Sequence, residues 1–285
     1  MIIGNFDFSS SNETYICAEV GINHNGSLSL AKSLIEISAK TGCNGVKFQK
    51  RTPEICVPDA QKNIERDTPW GRISYLEYKR KIEFNRSQMA ELRDYAHTFS
   101  LDWFVSCWDN ESVDEMLPLQ PAALKIPSAL ITNKDFVFYN RDTALPIIWS
   151  TGMSTLDEVD KCYQWLKSVQ NIVCHCNSSY PADPSELNLS FLTTMKTIYD
   201  KSIIGYSGHE TSLLPSVISV VQGARYIERH ITVDRTLWGS DHAASVEEHG
   251  LRRLVRDIRL LSLIMGKPEK ILYDSELSAR TKLRG

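Results

Sequence analysis

The stretch that decides the fold is GARYIERHITVDRTLWGSDHAAS, residues 223–245. Its residues 226–231 are predicted to form a short strand, and the side chains of a strand alternate between two faces. Glu228 and His230 are therefore expected on one face, and Arg229 on the other. A carboxylate beside an imidazole on a buried face needs polar partners. The stretch thus predicts a strand that carries chemistry rather than plain core packing.

A second strand-like run, IIGYSGHE at residues 203–210, comes shortly before it and ends with Ser207 and His209. If the two strands are neighbours in a barrel, two imidazoles and the carboxylate of Glu228 converge at one mouth. Two histidines leave most of the coordination sphere of an ion to water and substrate, which fits a Lewis acid better than a structural metal. We therefore predict a divalent-metal site with His209 and His230 as protein ligands.

The rest of the chain repeats a short apolar run, a polar loop and an amphipathic helical stretch. Eight such units predict an α/β fold, a (β/α)8 TIM barrel that occupies residues 1–285 as one domain. The predicted strands are 15–20, 45–49, 101–107, 123–127, 146–150, 172–176, 203–206 and 226–231. The predicted helices are 28–41, 87–98, 111–117, 134–140, 155–168, 184–199, 213–222 and 250–265.

A doubly wound open sheet is the alternative fold, but it rarely needs eight such units, and no G-x-G-x-x-G follows the first strand. Two helix starts are predicted from caps: Ser87 as an N-cap, and Thr155 with Glu158 at capping-box spacing. The one long connection, residues 50–84, contains Trp70, which argues against disorder. We expect it to form a partly helical lid over the barrel mouth.

Composition excludes several classes of function. The formal charge of −3 gives no reason to expect nucleic acid or an anionic membrane as a partner. No apolar stretch is long enough to span a bilayer, and the N-terminus does not resemble a signal peptide. The seven cysteines, several of them within apolar runs, do not indicate a disulfide framework. A cytoplasmic location is therefore expected. Cys174-His175-Cys176 is interpreted as buried packing, because structural zinc sites prefer wider thiolate spacing.

Polar residues recur where the predicted barrel strands end, which is where barrels of this class carry their chemistry. They include Glu19, Lys47, Gln49, Ser106, Lys125, Ser128, Ser178, Tyr180 and Ser207. Two inward lysines need anionic company, which Glu19, Glu228 or a phosphorylated, carboxylated ligand would provide. Serine hydroxyls, with backbone amides near Gly152 and Gly208, would bind phosphate oxygens.

Six motifs in this order resemble the N-acetylneuraminate (sialic acid) synthase family: AEVGINHNG, GVKFQ, KIPS, CNSSYP, IGYSGHE and IERHITVDRTLWGSDHAAS. The resemblance runs from about residue 15 to residue 265. It implies a (β/α)8 barrel that condenses phosphoenolpyruvate with an aldose, N-acetylmannosamine or a related sugar. The products would be a sialic-acid-like 3-deoxy-2-ulosonic acid, for surface carbohydrate biosynthesis, and phosphate.

The resemblance also implies roles for individual residues. Lys47, Ser106, Lys125, Ser128, Ser178 and Ser207 would hold phosphoenolpyruvate, with Gln49 on the same strand face as Lys47. Tyr180 and Asp241 would contact the sugar, and Glu19 and Glu228 would serve catalysis. His209 and His230 would hold the divalent ion, Mn²⁺ in first place with Mg²⁺ or Co²⁺ as alternatives. A homodimer is the assembly that the family pattern suggests.

The sequence departs from the family pattern at three places. Ser106-Cys107 stands where Thr-Pro is common, and Leu130 stands where an acidic residue is common. The resemblance covers the catalytic barrel without the C-terminal antifreeze-like domain of many members. Two other functions stay open: a Schiff-base pyruvate aldolase that uses Lys47 or Lys125, and a barrel that binds a sugar or phosphate without turnover.

Overall fold

Eight parallel strands close into a barrel in the computed structural model, which describes residues 1–284. Four further strands form two short antiparallel hairpins. In chain order the strands are β1 (Ile2–Ile3), β2 (Phe6–Asp7), β3 (Tyr15–Gly21), β4 (Gly45–Lys50), β5 (Glu65–Thr68), β6 (Gly71–Ser74), β7 (Asp102–Cys107), β8 (Leu124–Ile126), β9 (Ile147–Ser150), β10 (Asn171–Cys176), β11 (Ile203–Gly208) and β12 (Tyr226–His230). Each strand predicted for the barrel is present, with ends that differ by at most two residues.

The barrel closes because β12 pairs in parallel with β3, the first strand of the ring. This closure confirms the (β/α)8 barrel and rules out the open-sheet alternative. Register partners on adjacent strands point to the same face of a sheet. His230 is registered with Glu19, and Glu19 with Lys47. Ser207 is likewise registered with Glu228, so four strands direct charged and polar groups into one lumen.

Helices follow the strands, and most of them pack around the ring. They are α1 (Leu28–Thr41), α2 (Pro53–Cys56), α3 (Asp59–Lys62), α4 (Tyr75–Ile82), α5 (Arg86–Thr98), α6 (Asn110–Met116), α7 (Lys134–Arg141), α8 (Leu156–Leu166), α9 (Phe191–Ile198), α10 (Leu214–Val221), α11 (Glu248–Ile264) and α12 (Asp274–Arg284). Helix α8 begins at the predicted capping box of Thr155 and Glu158, and it buries Val159 and Leu166. No helix within residues 1–284 combines the length and apolar character needed to cross a membrane.

Two predicted helix starts were wrong. Ser87 lies inside α5, whose N-cap is Asn85, since the Asn85 side chain accepts from the Gln88 amide and the Gln88 side chain accepts from the Asn85 amide, each at 3.0 Å. The predicted helix 184–199 is instead a 3-10 turn, Pro184–Glu186, followed by α9 from Phe191. Asn188 separates them because its φ of 44° is left-handed and cannot continue a right-handed helix.

The N-terminal hairpin of β1 and β2, which was not predicted, covers one end of the barrel. Phe6 packs edge-on against Tyr15 at a ring-centroid distance of 5.3 Å, and Tyr15 stacks on Tyr226 at 5.6 Å. Tyr15 and Tyr226 are the first residues of β3 and β12, so the hairpin lies at the N-terminal ends of the strands. This end of a barrel serves stability, and the opposite end is left for function.

Residues 50–84, named the flap here, are partly helical as predicted and contain α2, α3 and α4. They also contain the hairpin of β5 and β6, which was not predicted, with Thr68 opposite Gly71. The flap reaches the loop that follows β12, where Tyr78 packs edge-on against Trp238 at 5.1 Å between ring centroids. It therefore lies at the C-terminal mouth of the barrel.

Candidate active site

Two lysines and two glutamates form a buried ionic cluster in the lumen. Lys47 Nζ lies 2.7 Å from Glu19 Oε2 and 3.5 Å from Glu228 Oε1. Lys125 Nζ lies 3.1 and 3.2 Å from the two oxygens of Glu228. All four side chains are buried. The two lysines, which were predicted to need anionic partners, are paired with the carboxylates of Glu19 and Glu228.

Mutual pairing keeps the charges of this cluster in place. Burial acts to lower the pKa of Lys47, but the carboxylates of Glu19 and Glu228 outweigh burial and raise that pKa above its usual value. Burial acts to raise the pKa of Glu228, but Lys125 and Lys47 outweigh it and hold that pKa well below its usual range. Lys47 and Glu228 are therefore both charged near neutral pH.

The two glutamates differ in how fully their oxygens are used. Glu228 also accepts hydrogen bonds from Ser207 Oγ at 3.2 Å and from the Tyr226 hydroxyl at 2.8 Å, so it is a fixed counterion for the lysines. Glu19 has Lys47 on one oxygen and Gln49 Nε2 on the other, at 3.0 Å. Glu19 is thus the carboxylate of the pair with more capacity to act on a ligand.

A cavity of about 160 Å³ opens onto this cluster. Twelve of the thirteen predicted site residues line it: Glu19, Lys47, Gln49, Ser106, Lys125, Ser128, Ser178, Tyr180, Ser207, His209, Glu228 and His230. The thirteenth, Asp241, lines an adjoining cavity. The Gly152 amide, proposed as a phosphate donor, instead donates to Ser128 Oγ at 3.0 Å and so orients that hydroxyl. The cavity is of a size for a small anion.

The imidazoles of His209 and His230 lie side by side at the cavity rim, with ring centroids 5.4 Å apart. His209 Nδ1 lies 2.6 Å from the Asn177 carbonyl oxygen, which fixes the ring proton on Nδ1 and leaves the Nε2 lone pair free to accept. It accepts from the Tyr180 hydroxyl at 2.8 Å. Burial, with His230 nearby, lowers the pKa of His209 to about 3, so the ring is neutral at physiological pH.

These groups fit a divalent ion. His230 Nδ1 is buried without a hydrogen-bond partner, and Asp241 Oδ2 lies 3.8 Å from it. Two imidazoles with a carboxylate nearby are donors that first-row divalent ions accept, with positions left for substrate and water. Within residues 1–284, no group of three or more His, Cys, Asp or Glu side chains is placed so that it could hold a metal ion.

Other polar residues predicted near strand ends do not reach the lumen. His24 stacks on Phe84 with ring centroids 4.2 Å apart, and burial lowers the pKa of His24 to about 3. His175 Nε2 lies 2.7 Å from the Leu187 carbonyl oxygen, facing away from the cavity. Cys174 and Cys176 are buried free thiols, but unlike the two histidines Cys176 lines the cavity, with its Sγ 3.7 Å from His209 Nδ1.

Sequence reasoning missed the contribution of the flap. Arg51, Lys79 and Trp108 line a second cavity of about 350 Å³ together with Asp241. Arg51 pairs with Glu83 at 2.9 Å, which links the end of β4 to the end of α4. Arg51 and Lys79 are recognisable as charged residues in the sequence, but no sequence spacing predicts that they lie near the strand-end residues.

A second buried ion pair lies behind the imidazoles, on the outer face of the same strands. Arg229, whose opposite orientation was predicted, lies 2.9 Å from Glu210 Oε1 and donates to Ser216 Oγ at 3.0 Å. The Tyr206 hydroxyl donates to the other oxygen of Glu210 at 2.8 Å. Because Arg229 adjoins His230 and Glu210 adjoins His209, the pair fixes the backbone that carries both rings.

Glu210→Gln is expected to lower the free energy of unfolding by about 3–5 kcal/mol, because it leaves the Arg229 guanidinium buried without a counterion. The matched control is Glu65→Gln, which removes an exposed pair with Arg72 and is expected to cost less than about 1 kcal/mol. Urea unfolding of both variants measures the difference. Equal midpoints for the two variants would show that the Glu210–Arg229 pair does not stabilise this wall.

Comparison with known proteins agrees with this architecture. The sequence profile of the NeuB family matches residues 34–270. The human N-acetylneuraminate-9-phosphate synthase is 35% identical, with 94% of this chain and 76% of that protein covered. The N,N'-diacetyllegionaminic acid synthase of Legionella pneumophila is 32% identical, with coverage of 96% and 80%.

A solved structure shares the fold over nearly the whole chain. The N-acetylneuraminic acid (sialic acid) synthetase of Leptospira borgpetersenii, solved in complex with citrate, superposes with a TM-score of 0.83 at 29% identity and covers 96% of this chain and 93% of that one. The resemblance carried by the six sequence motifs is thereby confirmed, and the chain belongs to the NeuB family.

Proposed function

We propose that this protein condenses phosphoenolpyruvate with an aldose, N-acetylmannosamine or a related sugar, to give a sialic-acid-like 3-deoxy-2-ulosonic acid and phosphate. The observation that carries the proposal is the paired lysine–glutamate cluster that lies beside the two imidazoles of His209 and His230 in one lumen. The relatives named above are synthases of nonulosonic acids or their phosphates, which supports this reaction class. The test is phosphate release from phosphoenolpyruvate across a panel of aldoses with Mn²⁺ present.

The charge balance of the site supports a bound divalent ion. The two lysine charges are already matched by Glu19 and Glu228, so a ligand with a phosphate and a carboxylate brings negative charge in excess. Excess charge in a buried site needs further compensation. We propose that His209 and His230 hold that ion, Mn²⁺ in first place with Mg²⁺ or Co²⁺ as alternatives. When bound, it would polarise the carbonyl oxygen of the aldose as a Lewis acid.

The residues of the chain would divide the reaction between them. Lys47 and Lys125 bind the anionic groups of phosphoenolpyruvate, and the hydroxyls of Ser106, Ser128, Ser178 and Ser207 donate to its oxygens. C3 of the enol then attacks the carbonyl carbon of the aldose, and positive charge develops at C2. Glu19 stabilises that charge and orients the water that adds at C2. The resulting tetrahedral carbon expels phosphate by cleavage of its C–O bond.

The Schiff-base alternative needs an amine of depressed pKa. Lys47 has the opposite shift, since Glu19 and Glu228 raise its pKa. Lys125 Nζ contacts both carboxylate oxygens of Glu228. The barrel that binds without turnover has no specific observation in its favour, because the groups that catalysis needs are assembled.

Treatment with borohydride and pyruvate is therefore expected to leave the mass of the intact protein unchanged. An ammonium paired with a buried carboxylate cannot attack a carbonyl carbon. Intact-protein mass spectrometry measures the outcome, with a known Schiff-base aldolase as positive control. Addition of a reduced pyruvyl group at Lys47 or Lys125 would favour the aldolase and contradict the proposed condensation.

A further inference from the structure

A second cavity lies beside the ionic cluster, between the flap and the barrel rim. It has a volume of about 350 Å³ and shares Gln49, Trp108 and Tyr180 with the smaller cavity, so the two adjoin. Three charged side chains line it: Arg51, Lys79 and Asp241. The smaller cavity, at about 160 Å³, has room for a ligand of phosphoenolpyruvate size, so an acceptor sugar would extend into this one.

Lys79 is a buried cation without a counterion of its own. The side chain belongs to α4, and the residue is 8% exposed. Its Nζ lies 5.3 and 5.2 Å from the ring centroids of Tyr75 and Tyr78. Lys79 Nζ forms no hydrogen bond with residues 1–284, and no carboxylate oxygen of those residues lies within 4.0 Å of Nζ. Burial, and then the charge of Arg51, lowers the pKa of Lys79 to about 8.

The neighbouring charges are engaged elsewhere. Glu83 pairs with Arg51 at 2.9 Å, and burial raises the pKa of Glu83 to about 7, so Glu83 is a weaker counterion for Lys79 than an ordinary carboxylate. Asp241 Oδ2 lies 3.8 Å from His230 Nδ1, at another part of the rim. The end of the cavity near Lys79 is therefore electropositive. A buried ammonium in such a place is stabilised by an anion that enters with a ligand.

We propose that Lys79 binds an anionic group, a phosphate ester or a carboxylate, carried by the acceptor aldose away from its carbonyl carbon. The inference rests on the proposed function, because it takes the aldehyde end of the sugar to lie at the two imidazoles. Lys79 is then the residue that selects an anionic over a neutral acceptor. Arg51 is held by Glu83 and Trp108 and shapes the cavity wall beside it.

Steady-state kinetics with three acceptors tests this assignment: N-acetylmannosamine, its 6-phosphate, and the corresponding 6-carboxylate, each with Mn²⁺ and saturating phosphoenolpyruvate. The wild-type protein is expected to prefer one of the two anionic acceptors in kcat/KM by about 10–100-fold, the range of a charge-assisted hydrogen bond. Lys79→Met is expected to abolish that preference through a higher KM for the anionic acceptor. Which anion is preferred distinguishes phosphate from carboxylate.

Two variants keep the experiment interpretable. Lys79→Arg retains the charge and is expected to restore part of the preference. Lys81→Met removes an exposed lysine from the same helix and is expected to change nothing. Equal use of neutral and anionic acceptors by the wild-type protein, or a preference that survives in Lys79→Met, would overturn this inference alone. Absence of product from all three acceptors would overturn the proposed function as well.

Discussion

Glu19→Gln is expected to lower kcat by about 10²–10⁴-fold, the range for loss of an acid–base group, while binding of Mn²⁺ and phosphoenolpyruvate persists. Glutamine has nearly the same shape, so the hydrogen bond from Gln49 survives, and Lys47 keeps Glu228 as a second partner. What is lost is the negative charge near C2 of the substrate. Single-turnover phosphate release, combined with equilibrium binding of each ligand, separates the loss of turnover from the loss of binding.

The control for this variant is Glu65→Gln, the same change on the exposed hairpin of the flap. It is expected to have wild-type kcat. If Glu19→Gln also had wild-type kcat, the role assigned to Glu19 would be wrong. If it lost phosphoenolpyruvate binding instead, Glu19 would act only as the counterion that positions Lys47.

His230→Ala is expected to weaken Mn²⁺ binding by more than about 100-fold. Loss of a residue that only hydrogen-bonds to a metal ligand costs about 10–100-fold, and loss of the ligand itself should cost more. The proposed site has two imidazole ligands, so removal of one leaves His209 alone with Asp241. Electron paramagnetic resonance of free Mn²⁺ during titration measures affinity without reference to activity. Turnover is expected to fall with it, since the ion would polarise the carbonyl.

His249→Ala is the matched control, because His249 is exposed on α11 and lines neither cavity. Its Mn²⁺ affinity is expected to equal that of the wild-type protein. Unchanged Mn²⁺ affinity in His230→Ala would remove His230 from the metal site and leave its unpartnered Nδ1 to be explained otherwise.

The part of the site that the sequence predicted is the part governed by local periodicity. Alternation along a strand places Glu228 and His230 together and turns Arg229 away, whatever the rest of the fold does. Parallel register then brings Glu19 and Lys47 to the same level as His230. The count of strand–helix units and the position of the strand ends were enough to infer one mouth lined by these groups.

The parts that the sequence did not predict depend on tertiary contacts, or on a choice between neighbouring residues with similar local preferences. Asn85 and Ser87 are both good N-caps, and only the reciprocal bonds with Gln88 select Asn85. The position of Lys79 beside the second cavity depends on how the flap folds back on the rim. No repeating pattern in the sequence predicts how the flap folds, so the sequence alone could not place its charged residues at the site.

Mass spectrometry of the products formed from phosphoenolpyruvate, Mn²⁺ and an aldose decides whether this barrel makes a carbon–carbon bond. With phosphoenolpyruvate labelled by ¹⁸O in its bridging oxygen, we expect a nine-carbon acid from a hexose acceptor and the label in the released phosphate. An unlabelled phosphate would contradict the C–O cleavage assigned to the tetrahedral carbon. No new acid with any aldose, in the presence of Mn²⁺, would contradict the proposed condensation altogether.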